Sequence, residues 1–320
     1  MQAVGALALT AALPGCGRPE PLLRVATNRW AGYQFIHLAQ DLGLYDPLRV
    51  RAIEMPNATD TLRALTAGTV EGAGLTLDEL ISVRADGLDL VAVLVFDESA
   101  GADALMAQAE VQTLADLRGR RVGLEASPVA GLLLDAALRV AGLAPDDVQR
   151  VYLPATEHLL AWQKNKVQAI VSYEPYVQEM SAQGGLRLFD SREMPGAILD
   201  VLAVHRRVLH SNPQGLRQLV SGHFAAMHRY REQRAAVEPL LGARLGLPPV
   251  QLAASFSTLK LPDVATNRAW LGGAQPLLPS SAMSLERSMR ASGLLRAPVP
   301  LEGLSSDIGL PAANAPEARS

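Results

Sequence analysis

Residues 22–55, LLRVATNRWAGYQFIHLAQDLGLYDPLRVRAIEM, contain the alternation that decides the fold. Residues 23–27 form a short β-like run, and apolar residues recur at helical spacing over residues 33–42, up to Gly43, which can end the helix. A second β-like run covers residues 50–55. A strand, a loop, a helix and another strand in this order predict a βαβ unit with parallel strands.

The same alternation continues as far as His205. Thr76-Leu77-Asp78-Glu79 has the spacing of a capping box at a helix start, and Ser127-Pro128 matches an N-cap followed by the first helical position. Thr59 is a further candidate N-cap. The later predicted strands are residues 70–75, 88–96, 121–125, 149–153, 167–172, 186–190 and 198–205, and helices follow at 213–231, 235–245, 248–257 and 280–291.

The pattern divides into two series and therefore predicts two α/β lobes. Strand-like crossings near residues 97–104 and 195–202 would join the lobes and act as a hinge. The predicted division is 1–21 for a leader and linker, 22–98 and 199–297 for the first lobe, 99–198 for the second, and 298–320 for a flexible tail without periodicity.

Composition excludes several classes of function. The chain has 320 residues, of which 49% are hydrophobic, so it can bury a sizeable core. Its formal net charge of -3 gives no basic field for a nucleic acid or an anionic membrane surface. After the N-terminal stretch there is no apolar run long enough to span a bilayer.

The single cysteine, Cys16, ends the apolar opening MQAVGALALTAALPGCG. This opening resembles a lipoprotein signal peptide, in which Leu13-Pro14-Gly15-Cys16 would be the cleavage box and Cys16 would carry the lipid anchor. The alternative is an ordinary free cysteine in a leader, because no Lys or Arg precedes the apolar run and Pro14 is unusual in such a box. The remaining chain has no thiol for a disulfide or a thiolate metal site.

Several short motifs occur in an order typical of one family. They are Asn28-Arg29-Trp30-Ala31-Gly32-Tyr33, Thr59-Asp60-Thr61-Leu62, GLTLDE at 74–79, LADLRGRRVG at 114–123 and Ser172-Tyr173-Glu174-Pro175. Over residues 22–295 this order resembles the nitrate/sulfonate/taurine-type substrate-binding proteins of ABC importers. That family includes binders of thiamine-pyrimidine precursors, to which Tyr173-Glu174-Pro175 is similar.

The resemblance implies a type II periplasmic-binding fold, with two lobes and a two-stranded hinge. It further implies a monomer in the periplasm or at the cell surface, which captures a small molecule between its lobes and delivers it to an ABC permease and its ATPase.

The loops that follow the carboxyl ends of the strands are the predicted ligand-binding segments, because such loops border a common crevice. Trp30 and Tyr33 follow the first strand and could stack on a ligand, although Trp30 could equally cover the core. Helix N-termini favour polar or anionic groups, with plain capping as the alternative. The predicted ligand-binding residues are Trp30, Gly32, Tyr33, Thr59, Thr76, Asp78, Ser127, Tyr173, Glu174 and Asp200, with no metal, cofactor or catalytic residue.

Charge in these segments points to the class of ligand. Arg29 is their only obvious basic residue, and a dry pocket for a small anion would need the opposite balance. We therefore expect a ligand with amino or ring N–H donors, such as an aminopyrimidine or an amine, with Glu174 as the principal carboxylate. The acidic residues of these segments are Asp78, Glu79, Asp97, Glu98, Glu174 and Asp200.

The sequence gives little support to an enzyme. It has no G-x-S-x-G elbow and no H-E-x-x-H pattern, and His223 and His228 are predicted to lie at the surface. The same fold is also used by pyrimidine synthases and related catabolic enzymes, so an enzyme of pyrimidine-synthase or desulfinase type is the alternative. A ligand-sensing domain is a third candidate.

Overall fold

A computed structural model describes residues 20–312 of the chain. Cys16 and the cleavage box lie outside these residues, so the lipoprotein signal remains a prediction. Within residues 20–312, no helix is both long enough and apolar enough to cross a membrane.

The elements alternate as predicted in the first two thirds of the chain and become mainly helical afterwards. The strands are β1 (Leu23–Thr27), β2 (Val50–Glu54), β3 (Gly72–Thr76), β4 (Leu90–Ser99), β5 (Asp103–Ala107), β6 (Arg121–Leu124), β7 (Gln149–Tyr152), β8 (Ala169–Tyr173), β9 (Leu186–Asp190), β10 (Leu199–His205) and β11 (Leu259–Lys260). The helices are α1 (Gln34–Asp41), α2 (Ala58–Thr66), α3 (Leu77–Ala85), α4 (Pro128–Val140), α5 (His158–Gln163), α6 (Tyr176–Ser181), α7 (Val208–Ser211), α8 (Pro213–Glu232), α9 (Arg234–Leu245), α10 (Pro249–Ser257), α11 (Val264–Leu271) and α12 (Leu277–Ala291).

The first lobe is built on a six-stranded sheet in the order β11-β4-β10-β3-β1-β2. β1 pairs in parallel with β2 and β3, whereas β10 is antiparallel to both β3 and β4. The interior is apolar, and large side chains such as Phe35, Ile36 and Phe96 are fully buried in it. The sheet is therefore mostly parallel, with the returning strand β10 inserted against the common direction.

The second lobe is built on a five-stranded sheet in the order β7-β6-β8-β5-β9, in which β5 is the antiparallel strand. Alternate residues of β5 enter opposite sides of the sheet, because successive side chains of a strand point to opposite faces. Leu105 packs in a cluster with Leu133 of α4, whereas Met106 packs in a cluster with Trp162 and Met180 on the other side. Helices thus cover both faces.

Two crossings join the lobes, at 99–103 between β4 and β5 and at 190–199 between β9 and β10. Hydrogen bonds tie the crossings to each other: the Ser99 and Ser191 hydroxyls are 2.7 Å apart, and the Gly196 N–H donates to Glu98 over 3.1 Å. Glu98 also pairs with Lys260 of β11 at 2.8 Å. The predicted cleft residue Glu98 is therefore a paired residue of the hinge.

The predicted tail differs from the structure over residues 298–312. Leu304 is fully buried in the core of the first lobe, and Ser305 forms a parallel bridge to Ala92 of β4. The Arg84 guanidinium donates to the Pro300 carbonyl over 2.9 Å. This part of the chain has no sequence period because it is an irregular segment that covers the sheet edge.

One predicted helix cap is wrong, and a second lies where it was predicted but forms only part of its hydrogen bonds. The N-cap of α2 is Asn57, whose side chain accepts the Asp60 N–H over 2.8 Å, and Thr59 lies inside the first turn. At α3 the Thr76 N–H donates to Glu79 over 3.0 Å, as a capping box requires, but the Thr76 hydroxyl has no partner. Only one half of the predicted box forms.

Candidate ligand-binding cleft

A small cavity of about 30 Å³ lies between the lobes, next to the carboxyl ends of β1, β3, β6 and β8. Such a volume holds no more than about two water molecules. The structure therefore has the lobes closed on each other. The cavity is lined by Asn28, Trp30, Tyr33, Ala58, Gly74, Thr76, Glu79, Asp103, Glu125, Ser127, Val129, Tyr173 and Asp200.

Most of the predicted binding residues line this cavity, namely Trp30, Tyr33, Thr76, Ser127, Tyr173 and Asp200. The sequence reasoning missed Asn28, Asp103 and Glu125 as lining residues and treated Glu79 chiefly as a helix cap. A signal for two of them was present: Asn28 directly follows β1, and Glu125 directly follows β6. Both positions belong to the carboxyl edge of the sheets, where the other predicted binding residues also lie.

Three aromatic rings form one wall of the cleft. The Trp30 ring lies 6.5 Å from Tyr33 and 5.9 Å from Tyr173, measured between ring centroids. Tyr33 in turn contacts Phe96 edge to face, at 5.0 Å. Trp30 is 4% exposed, and it both packs in the core of the first lobe and lines the cleft.

Each of the two aromatic residues from the first loop donates a hydrogen bond to a buried aspartate. Trp30 Nε1 donates to Asp97 Oδ2 over 3.0 Å, and the Tyr33 hydroxyl donates to Asp200 Oδ1. Asp97 and Asp200 lie opposite each other in the β4–β10 pairing. A Cβ at Gly32 would overlap the Asp97 carboxylate, so the glycine is what permits this close approach.

Carboxylates are concentrated around the cleft without basic partners. Within residues 20–312, none of them forms an ion pair, and several of their oxygens have no hydrogen-bond partner. Each is less than a tenth exposed. These carboxylates, hereafter the cleft carboxylates, are Asp78, Glu79, Asp97, Asp103, Glu125 and Asp200.

Burial is the main cause of their altered acidity, because it disfavours the charged form. Burial raises the pKa of Asp97 to about 8 and that of Asp103 to about 7. Burial and the charge of Asp78 raise the pKa of Glu79 to about 8. The pKa of Asp200 is also raised, by burial and then by the charge of Asp97. The closed cleft thus favours protonated acids unless a cation replaces the protons.

Direct contacts between the lobes hold the closed form. Glu125 of the second lobe accepts the Thr59 N–H over 3.1 Å and the Thr59 hydroxyl over 2.9 Å. The Asn28 amide donates to the Tyr173 hydroxyl over 3.1 Å. All of these contacts must break when the lobes separate.

Four predicted binding residues do not line the cavity. Gly32 lies against the Asp97 carboxylate, Asp78 is fully buried in the first turn of α3, and Thr59 contacts Glu125 of the other lobe. Glu174, the carboxylate expected to be the principal one, accepts the backbone N–H and the side-chain amide of Gln178 over 3.3 and 3.1 Å. It therefore supports the first turn of α6 in the structure.

The prediction that His223 lies at the surface is wrong. Its ring is fully buried between Phe96, at 5.3 Å, and Phe35, at 5.9 Å. Neither ring nitrogen has a hydrogen-bond partner, and burial lowers the pKa of His223 to about 3. The residue is a neutral part of the core.

A larger depression of about 930 Å³ lies on the first lobe, between α8, α11 and the start of α12. It contains none of the predicted binding residues, and two of its charged groups, Arg268 and Asp307, pair with each other at 3.2 Å. Because it lies within one lobe, it cannot respond to closure as the interlobe cavity does.

The profile of the NMT1-like family matches residues 17–240. This match covers more than half of the chain, including the cleft residues of both lobes. The chain belongs to the NMT1-like family.

Two curated relatives of this NMT1-like chain come from Escherichia coli (strain K12). One, named "Putative aliphatic sulfonates-binding protein", is 29% identical over 213 residues, which are 65% of this chain and 66% of that protein. The other, named taurine-binding periplasmic protein, is 24% identical over 53% of each chain. The alignments thus cover less than two thirds of either relative.

Solved structures show the same fold. The alkanesulfonate-binding protein SsuA from Xanthomonas axonopodis pv. citri, bound to MOPS, superposes with a TM-score of 0.73. It is 19% identical, and the superposition covers 88% of this NMT1-like chain and 96% of that one. The predicted two-lobed periplasmic-binding fold is therefore confirmed.

Proposed function

We propose that the chain is the solute-binding component of an ABC uptake system and that its ligand carries a cationic or N–H-rich group. The observation that carries the proposal is the set of cleft carboxylates, which lie beside three aromatic rings and have no basic partner. The two relatives are named for binding aliphatic sulfonates and taurine, which supports a solute-binding role but not the same ligand.

The electrostatics of the cleft favour a cation over an anion. A sulfonate placed in the cavity would lie beside Asp103, Glu125 and Asp200, and each of them would have to stay protonated because like charges in a dry site repel strongly, whereas a cation can replace their protons. An ammonium or aminopyrimidine group would instead donate to oxygens that have no partner, such as Asp103 Oδ2 and Asp200 Oδ2. The faces of Trp30 and Tyr173 would add cation–π attraction.

Ligand entry requires the lobes to separate, because ligand pockets usually exceed about 300 Å³ and the closed cavity is only about 30 Å³. The hinge crossings allow this movement, and the ligand shifts the equilibrium by its greater affinity for one of the two forms. A permease would then recognise the liganded form. Cys16, if lipidated, would hold the protein at the membrane, and the ligand would leave chemically unchanged.

A ligand screen tests the proposal. Thermal-shift and calorimetric titrations would compare a 4-aminopyrimidine, an alkylamine and choline with ethanesulfonate, taurine and nitrate, since a ligand of the folded state raises its melting temperature. We expect a response to members of the first group. Mass spectrometry of the recovered ligand checks that it is unchanged.

Two aspartate variants make the screen specific. Asp200→Asn, at a lining residue, should weaken binding of the best amine by roughly tenfold or more, because asparagine cannot give up a proton and become charged beside a bound cation. Asp78→Asn is the matched control, since Asp78 is equally buried but does not line the cavity. Tight binding of ethanesulfonate with no response to any amine would contradict the proposal.

A further inference from the structure

The start of α2 has the features of an anion site, but the chain itself fills it. The Asp60 N–H is taken by Asn57 at 2.8 Å, and the Thr59 N–H and hydroxyl both donate to Glu125 Oε1. α2 has nine residues, so its N-terminal donors carry a partial positive charge. A carboxylate from the other lobe therefore occupies the position that a sulfonate or phosphate would take.

This carboxylate, Glu125, is buried and lies in the cleft. Glu125 is 2% exposed and lines the interlobe cavity, and the Tyr173 hydroxyl lies 3.4 Å from its second oxygen. At the neighbouring start of α3, Glu79 of the helix itself accepts the N–H of the N-cap residue Thr76 over 3.0 Å. The starts of α2 and α3, which both border the cavity, thus each have a carboxylate of the chain as an acceptor.

We propose that Glu125 is a specificity-determining residue, which excludes anionic ligands by occupying the N-terminus of α2 in the closed form; this inference rests on the proposed ligand-binding function. An anion at Thr59 would have to displace a hydrogen-bonded carboxylate and then lie beside its charge. The same displacement would break a contact between the lobes, so an anion that entered would also oppose closure. A cationic or neutral ligand can bind beside Glu125 without displacing it.

The inference predicts that removal of Glu125 creates affinity for anions. Glu125→Ala should bind ethanesulfonate, which has no amino group, roughly tenfold or more tightly than the unmodified chain, because donors and dipole become available. Glu125→Gln, which removes only the charge, should give a smaller gain of the same sign. Adding Thr59→Val to Glu125→Ala should reduce the gain, since it removes the hydroxyl donor.

Glu110→Ala is the charge-matched control, because it removes one exposed carboxylate of the same lobe without opening α2. It should bind ethanesulfonate no better than the unmodified chain. Isothermal titration calorimetry gives each affinity, and the melting temperature shows which variants are folded.

The outcomes separate this inference from the proposed function. If the unmodified chain binds an amine and neither folded Glu125 variant gains affinity for ethanesulfonate, the inference is wrong while the proposed function stands. If Glu110→Ala gains as much as Glu125→Ala, overall charge is responsible and the inference is again wrong. If the unmodified chain already binds ethanesulfonate tightly and ignores amines, both fail.

Discussion

Replacing Asp97 with asparagine should remove a pH-dependent loss of stability. In the folded chain the pKa of Asp97 is raised by burial to about 8, compared with 3.8 for an ordinary aspartate. Asparagine has the shape of the protonated acid and can still accept the hydrogen bond from Trp30 Nε1. The variant therefore keeps the contacts of the neutral side chain and loses only its titration.

The sign and size of the effect follow from proton binding. Between the ordinary and the raised pKa, the folded chain holds a proton on Asp97 that the unfolded chain has lost, so the free energy of unfolding falls as the pH rises. One such group contributes about 1.4 kcal/mol per pH unit, or roughly 3 kcal/mol between about pH 5 and pH 7. Asp97 also raises the pKa of Asp200, so its removal relieves part of a second titration.

Urea denaturation at several pH values measures this effect. The unmodified chain should lose stability from about pH 5 to pH 7, and Asp97→Asn should lose less by roughly 3 kcal/mol. Asp116→Asn is the control, because the pKa of that exposed carboxylate is lowered and it stays ionised in both states over this range. A constant difference between Asp97→Asn and the unmodified chain at every pH would refute the reasoning.

Three further predictions concern other parts of the structure. Gly32→Ala should weaken amine binding by roughly tenfold, because its Cβ would displace the Asp97 carboxylate, whereas Gly131→Ala, whose Cβ meets only ordinary contacts, should bind normally in calorimetry. Leu304→Ala should lower the free energy of unfolding by about 2–4 kcal/mol in urea, and an unchanged value would place that segment outside the folded core. His223→Leu should remove a loss of stability on acidification from about pH 6.5 towards 3, because the unfolded chain takes up a proton that the buried imidazole resists; an equal pH profile would contradict this.

Hydrophobic periodicity and helix caps predict an element well when one face of the segment is buried and capping or turn residues mark its ends. β1 occupies the predicted residues 23–27, and α4 begins at Pro128 as its Ser-Pro start indicates. The sequence of β5, Asp-Ala-Leu-Met-Ala, does not predict a strand, because it contains good helix formers and no alternation. That strand is buried on both faces, so its conformation is determined by neighbouring strands that the local pattern does not show.

The sequence predicts where the candidate site lies better than it predicts the side-chain contacts within it. Trp30, Tyr33 and Asp200 could be placed at the cleft because they lie near strand ends, and the order of strands and helices along the chain predicts which loops share the carboxyl edge of a sheet. The contact between Thr59 and Glu125 depends on how the two lobes close, and their separation of 66 residues leaves no local signal. The sequence places Glu174 beside a proline, but only the fold brings its carboxylate to Gln178 and, at 4.0 Å, to Arg187.

The hydrogen bonds from Trp30 and Tyr33 suggest a role in binding for two buried aspartates that lower the stability of the fold. Buried carboxylates without cations lower the stability of the closed form, so stability alone would favour their loss. Here, however, Asp97 and Asp200 accept from Trp30 and Tyr33 and fix the orientation of both rings. A ring that is already oriented loses little conformational entropy when a ligand stacks on it, and this raises affinity without further contact area. The same carboxylates thus hold the aromatic wall in place, and they can release their protons when a cation enters the cleft, which links the cost in stability to the proposed ligand binding.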